Sequence, residues 1–191
     1  MYSWGLIILG LTGATYIRWG KSSCPSDTGA ELVYAGRASG TSFSTQGGAA
    51  EKVCLPEDPD YIDSTAGVQW TSSVIQGSEY ELFAGPNAHV FNHNVPCAVC
   101  FVPSRATTLM IPAKNVCPSS WTREYYGYLT AEASNHHRSS LNCVDINPDV
   151  IGGDVNDTNG ALFYYVSAEC TALNCPPYEQ NRILSCAVCT R

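Results

Sequence analysis

Ten cysteines are the side chains with the widest choice of chemistry in this chain of 191 residues. Four of them stand in two CxxC elements with the same filling, Cys97-Ala98-Val99-Cys100 and Cys186-Ala187-Val188-Cys189. Cysteines at this spacing bind zinc, form a dithiol redox site, or make disulfide bonds with distant partners. The rest of the sequence has to discriminate between these three chemistries.

The surroundings of the CxxC elements favour disulfide bonds. Zinc needs four ligands in tetrahedral geometry, and if both elements met to supply them, six cysteines would still need a role. A redox CxxC is expected at the amino terminus of a helix, whereas Cys97 follows Val95-Pro96 and precedes Phe101-Val102. Each half has an even number of cysteines, four and then six, which suits pairing. We therefore expect structural disulfides, no bound metal and no cofactor.

The positions of the cysteines show an internal repeat. Cys54, Cys97 and Cys100 recur 89 residues later as Cys143, Cys186 and Cys189. Two further motifs recur with them: Cys24-Pro25-Ser26 as Cys117-Pro118-Ser119, and Tyr34-Ala35-Gly36 as Tyr125-Tyr126-Gly127. A module of roughly 90 residues is therefore present twice. We assign residues 15–105 to a first lobe and 106–191 to a second, packed together at a boundary near 103–108.

The elements that carry these motifs are predicted to be strands. Short aromatic and β-branched runs recur between turn-rich stretches, and no window keeps the apolar spacing of an amphipathic helix. The sequence predicts an all-β, disulfide-rich fold. Its predicted strands are Thr15–Trp19, Glu31–Tyr34, Tyr80–Phe83, Ala98–Val102, Leu109–Ile111, Tyr125–Thr130, Ala161–Ser167 and Ile183–Val188.

Charge and the first residues indicate the compartment and exclude some partners. Ten Lys and Arg against 17 Asp and Glu give a net charge of −7, with no basic cluster, so we expect no nucleic-acid partner.

The apolar run at residues 4–11 is followed by Thr12-Gly13-Ala14, small residues that suit cleavage by signal peptidase after Ala14. Residues 1–14 are interpreted as a signal peptide, and the alternatives are a truncated gene model or an ordered first strand. The run is far shorter than the roughly 18 residues of a membrane span.

The order of these motifs resembles that of a known family. A Cys-Pro-Ser opening, a glycine-bearing aromatic strand, a middle cysteine and a Cys-Ala-Val-Cys close, present twice, resemble the carboxy-terminal non-collagenous domain of type IV collagen. The terminal domains of invertebrate short-chain, spongin-type collagens are more similar still. The match covers about residues 15–191, and it is close over Cys117–Trp121, Tyr126–Tyr128 and the ending Cys186–Arg191.

The resemblance implies a secreted domain of two similar lobes, three copies of which assemble and set the register of a collagen triple helix. It also implies that the first cysteine of each half joins the last and that the middle one joins the first of the CxxC. The implied pairs are Cys24–Cys100, Cys54–Cys97, Cys117–Cys189 and Cys143–Cys186. Cys170 and Cys175 are then paired by elimination.

This chain departs from the family in several places. The third disulfide of the family has no counterpart in the first half, and the methionine and lysine that crosslink type IV trimers cannot be matched. Residues 10–15 make only two Gly-X-Y triplets, too few to wind three chains.

Other candidate sites are weaker. His89 and His93 have a zinc-like spacing in a segment unsuited to a helix, and His136-His137 is predicted to lie in a solvated turn. The acidic stretch from Asp145 to Asn159 fails the EF-hand template, which leaves a turn-forming loop or an irregular calcium site. Within it, Asn156-Asp157-Thr158 is the only N-x-S/T sequon, and we expect Asn156 to be glycosylated.

No nucleophile elbow or HExxH motif is present in the sequence, so we expect no catalytic residues and no enzyme. The favoured function is that of a secreted extracellular-matrix structural protein that forms a homotrimer, with other matrix proteins or glycans as further partners. The alternative is a secreted carbohydrate- or mineral-binding protein. Tyr61, Trp70 and Trp121 in polar loops, together with the acidic loop, motivate that alternative.

Overall fold

A computed structural model describes residues 12–62, 72–152 and 156–191. Residues 1–11 of the interpreted signal peptide therefore lie outside the described residues, as do Trp70 and Asp154. The described ranges contain ten strands and one 3-10 turn at Ala88–Val90. The strands are β1 Gly13–Trp19, β2 Glu31–Gly40, β3 Val53–Pro56, β4 Gln76–Tyr80, β5 Pro96–Pro103, β6 Thr108–Pro112, β7 Thr122–Ala131, β8 Asn142–Asp145, β9 Ala161–Tyr165 and β10 Ser185–Thr190.

This architecture confirms the prediction of an all-β fold, with one misplaced strand and two missed ones. The predicted strand at 80–83 overlaps β4 only at Tyr80, because β4 begins in the polar, exposed residues Gln76 and Gly77 and pairs through its backbone. Strands β3 and β8 escape prediction because each has four residues around a single cysteine, which is too short for a period to be visible. No helix in the described ranges is long and apolar enough to cross a membrane.

The strands pair in the same way in both halves of the chain. In the first half β1 pairs with β5, β5 with β2, and β2 with both β3 and β4, all antiparallel. In the second half β6 pairs with β10, β10 with β7, and β7 with both β8 and β9, again all antiparallel. Strands β1 to β5 thus have β6 to β10 as their counterparts, in order.

Two parallel pairings join the halves. Trp19 of β1 pairs with Val144 of β8, and β4 runs beside β9 with Tyr80 opposite Phe163. With the antiparallel pairs these contacts make a closed circuit of seven strands, β7-β8-β1-β5-β2-β4-β9. Strands β3, β6 and β10 lie outside this circuit.

The hydrophobic core also crosses from one half to the other. One cluster packs Trp19, Tyr80 and Leu82 against Val144 and Phe163. A second cluster, with Tyr16 and Val102 from the first half, includes Tyr125 and Leu129 from the second. Because both clusters draw side chains from both halves, the apolar burial that stabilises one half depends on the other.

Candidate functional site

The chain contains five disulfide bonds and no free cysteine. The prediction of disulfide bonds is thereby confirmed. The bonds join the same pairs as those implied by the resemblance and by elimination. They are Cys24–Cys100, Cys54–Cys97, Cys117–Cys189, Cys143–Cys186 and Cys170–Cys175.

Strand geometry explains why each CxxC element serves two separate bonds. Side chains alternate between the faces of a strand, so residues three apart point to opposite faces. On β5, Cys97 joins Cys54 in the first core cluster, whereas Cys100 joins Cys24 beside the second. All the sulfurs are used in this way, so the CxxC elements hold neither a zinc ion nor a redox dithiol.

Strands β3 and β6 are the open edges of the sheet. Within the described residues β3 pairs only with β2, and β6 pairs only with β10. Their counterparts by repeat position are β8 and β1, which contact each other where the two halves meet. The chain therefore uses one pair of edges internally and leaves the equivalent pair open.

The contact positions differ sharply in burial between these two pairs of edges. Val144, which follows Cys143, is fully buried against Trp19, whereas Leu55, which follows Cys54, is 38% exposed. Trp19 lies opposite Cys97 and is buried; Pro112 lies opposite Cys186 and is exposed. The surface is thus covered where β1 meets β8, whereas the equivalent surface on β3 and β6 is exposed.

A buried ion pair between the halves lies beside a polar cavity of about 360 Å³. The Lys52 ammonium donates to Glu132 Oε1 at 3.3 Å and to Ser139 Oγ at 3.1 Å, and it lies 4.8 Å from the ring centre of Phe163. Glu132 also accepts the Leu162 amide at 2.7 Å. Burial lowers the pKa of Lys52, against the effect of the Glu132 carboxylate.

His136 completes this network, which corrects one expectation. It was predicted to lie in a solvated turn, yet its side chain is only 13% exposed and its Nδ1 lies 3.3 Å from Glu132 Oε2. Phe43 and Tyr164 pack against the imidazole. Only the neighbouring His137 is exposed.

Three carboxylates converge where β4 meets the acidic loop. Oxygens of Glu79, Glu81 and Asp157 lie within 4.8 Å of one another, close enough to hold a cation. Burial, with Asp157 and Glu79 nearby, raises the pKa of Glu81 to about 7. Glu79 accepts the backbone amides of Thr158 and Asn159, each at 3.2 Å.

Two other carboxylates of the acidic loop form ion pairs away from this cluster. Asp145 pairs with Arg18 at 2.7 Å, and Asp149 pairs with Lys21 at 2.7 Å. Glu79 and Glu81 were not predicted as site residues, because Glu79 lies on β4 and Glu81 directly follows it, about 80 residues before Asp157. The sequence offers no local signal that links these three carboxylates.

The other predicted residues are dispersed over the surface. Asn156 is exposed, as the glycosylation prediction requires. His89 is exposed in the 3-10 turn, and the metal-ligand group found among the described residues contains neither His89 nor His93. Tyr61 is 81% exposed, whereas Trp121 is half-buried.

A comparison of the chain with known protein-family models finds no match.

Proposed function

We propose that this chain is a secreted structural protein of the extracellular matrix whose domain self-associates as a homotrimer. The proposal rests on the resemblance to collagen terminal domains and on one structural observation: the edges β3 and β6 are open, while their repeat counterparts β8 and β1 are joined within the chain.

The repeat indicates how copies would join. If β6 of one copy meets β3 of the next as β1 meets β8 within a chain, then Pro112 comes beside Leu55 and covers its exposed surface. Such a contact uses different surfaces on the two partners, so it generates a ring when the rotation closes. A ring of three copies contains six lobes and leaves neither edge unpaired.

The composition of the two edges supports their pairing. Open edges in monomeric proteins are commonly protected by charged side chains. Neither Val53–Pro56 nor Thr108–Pro112 contains a charged residue.

The disulfides support the extracellular assignment. Disulfide bonds persist in oxidising compartments, and all ten cysteines of this chain are bonded. The glycosylation sequon at Asn156, on an exposed loop, also supports an extracellular location.

Light scattering on the disulfide-intact protein at micromolar concentration tests the proposal. We expect a mass near three times the 20.6 kDa of a single chain. Leu109→Lys places a charge on the β6 edge, and we expect this variant to shift toward single chains.

A matched control is Leu173→Lys, because Leu109 and Leu173 are equally exposed at 43% and Leu173 lies outside every strand. This variant should keep the mass of the unaltered protein. A single-chain mass for the unaltered protein would reject the trimer and favour the carbohydrate- or mineral-binding alternative.

A further inference from the structure

The Cys170–Cys175 disulfide differs from the other four in its exposure. Each of the others contains one cysteine with no exposed surface. Cys175 is exposed and Cys170 is half-buried. Because exchange requires a thiolate to reach a sulfur, the bond that contains the exposed Cys175 is the most accessible of the five to dissolved thiols; Cys24 and Cys117 are only half-buried as well, but no cysteine of the other four bonds is exposed.

The fold depends least on this bond. It closes a loop of sequence separation 5, whereas the other four span 43 to 76. The stabilisation that a crosslink contributes through chain entropy grows with the length of the loop it closes. Opening Cys170–Cys175 therefore releases less conformational freedom than opening any of the other four bonds.

Hydrogen bonds hold the ends of this loop independently of the sulfurs. The Ala168 amide donates to Arg182 O at 3.0 Å, and the Asn181 amide donates to Ala168 O at 2.9 Å. The Cys170 amide donates to Gln180 Oε1 at 2.7 Å. The Tyr178 amide donates to Asn174 O at 3.3 Å, beside Cys175. Backbone hydrogen bonds thus remain next to both cysteines after the bond opens.

The local charges favour attack at one of the two sulfurs. Glu169 adjoins Cys170, and its carboxylate repels an approaching thiolate. Cys175 is flanked by Asn174 and Pro176, neither of which is charged. Cys175 is also the more exposed of the pair.

We propose that Cys170–Cys175 is a thiol–disulfide exchange site at which a thiol-bearing partner bonds to Cys175 while the fold remains intact. The incoming thiolate forms a new S–S bond with Cys175 Sγ, and the Cys170–Cys175 bond breaks. Cys170 leaves as a thiolate and takes a proton from water. One disulfide replaces another, so no external oxidant is needed, and the inference is independent of the assembly proposed above.

The probe is reduced glutathione, added at millimolar concentration to the folded protein in native buffer. Samples are quenched with an alkylating agent and mapped by mass spectrometry. We expect a glutathione adduct on Cys175 and alkylation of Cys170, at least about tenfold faster than any labelling of Cys143–Cys186. The buried bond serves as an internal control in the same sample.

A second arm distinguishes small thiols from a cysteine of another copy as the natural partner. Catalytic glutathione is added to concentrated protein, and covalent dimers are sought by non-reducing electrophoresis. Dimers linked through Cys175 assign a second copy as the partner. Adducts without dimers assign small thiols.

The double variant Cys170→Ser/Cys175→Ser should remain folded, with its unfolding temperature lowered by only roughly 4–8 °C, and should take up no glutathione. Equal labelling rates at the exposed and buried bonds, or no adduct at Cys175, would overturn the proposal. If the double variant folds poorly, the order in which the exposed and the buried disulfide are labelled in the unaltered protein still tests the proposal.

Discussion

Gly36 and Gly127 determine how closely the second strand of each half approaches its neighbour. A Cβ atom on Gly36 would lie 1.8 Å from the Leu55 carbonyl oxygen, and one on Gly127 would lie 1.8 Å from that of Val144. In both cases the obstacle is backbone rather than a movable side chain. The glycine of the repeated aromatic motif is therefore a packing requirement in both halves.

We expect Gly127→Ala to destabilise the protein by about 3 kcal/mol, at the upper end of the range for overpacking. The strand β8 cannot withdraw without breaking its ladder with β7. Chemical denaturation of both proteins measures the effect. Gly77→Ala is the control, because a Cβ there meets nothing within 4 Å. Equal losses in the two variants would show that the close approach at Gly127 has no special cost.

Glu81 makes the stability depend on pH. Its pKa is about 7 in the folded protein, above the ordinary glutamate value of 4.5, so the folded state binds more protons than the unfolded state between these values. This contribution to stability is fully present below pH 4.5 and is lost as the pH rises through 7. We expect Glu81→Gln to weaken the fall in stability between pH 5 and pH 8.

Urea unfolding at pH 5 and pH 8 measures this dependence. Glu51→Gln, on an exposed carboxylate, is the matched control. If the two variants changed the pH dependence equally, the carboxylate cluster would not be its source.

Among the contacts between elements, the buried pair of Lys52 and Glu132 is the most sensitive to substitution. The two side chains are 2% and 4% exposed. Removing one member of a buried pair leaves the other buried charge without its ion-pair partner. We expect Lys52→Met to cost about 3–5 kcal/mol in unfolding free energy.

The surface pair of Arg37 and Glu57 provides the comparison. Its members are 48% and 59% exposed, so water solvates either charge when the other is removed. Arg37→Met should cost less than about 1 kcal/mol. Comparable losses for Lys52→Met and Arg37→Met would contradict the importance given to the buried pair.

Elements marked by local patterns were predictable from the sequence, and contacts between distant segments were not. The CxxC strands β5 and β10 and the aromatic strands β2 and β7 carry aromatic or β-branched runs that mark them as strands, although β2 continues to Gly40, beyond the predicted Tyr34. The partners Lys52 and Glu132 are 80 residues apart, and no local pattern links them. The same holds for Glu79 and Asp157, so this cluster became visible only in three dimensions.

At the scale of the whole molecule, the disulfides leave no thiolate for a metal. Elemental analysis of the purified protein should therefore find no zinc bound through sulfur. Zinc at one ion per chain, lost to a chelator together with the fold, would contradict the five bonds.

Pairing of the β3 and β6 edges of neighbouring copies, as proposed above, would cover both strands in the assembly. Hydrogen–deuterium exchange, measured by mass spectrometry at high and low protein concentration, tests this pairing. We predict that peptides covering Val53–Pro56 and Thr108–Pro112 are protected at high concentration and lose protection together on dilution, while interior β5 stays protected. Exchange at these two strands that is the same at every concentration would contradict the claim.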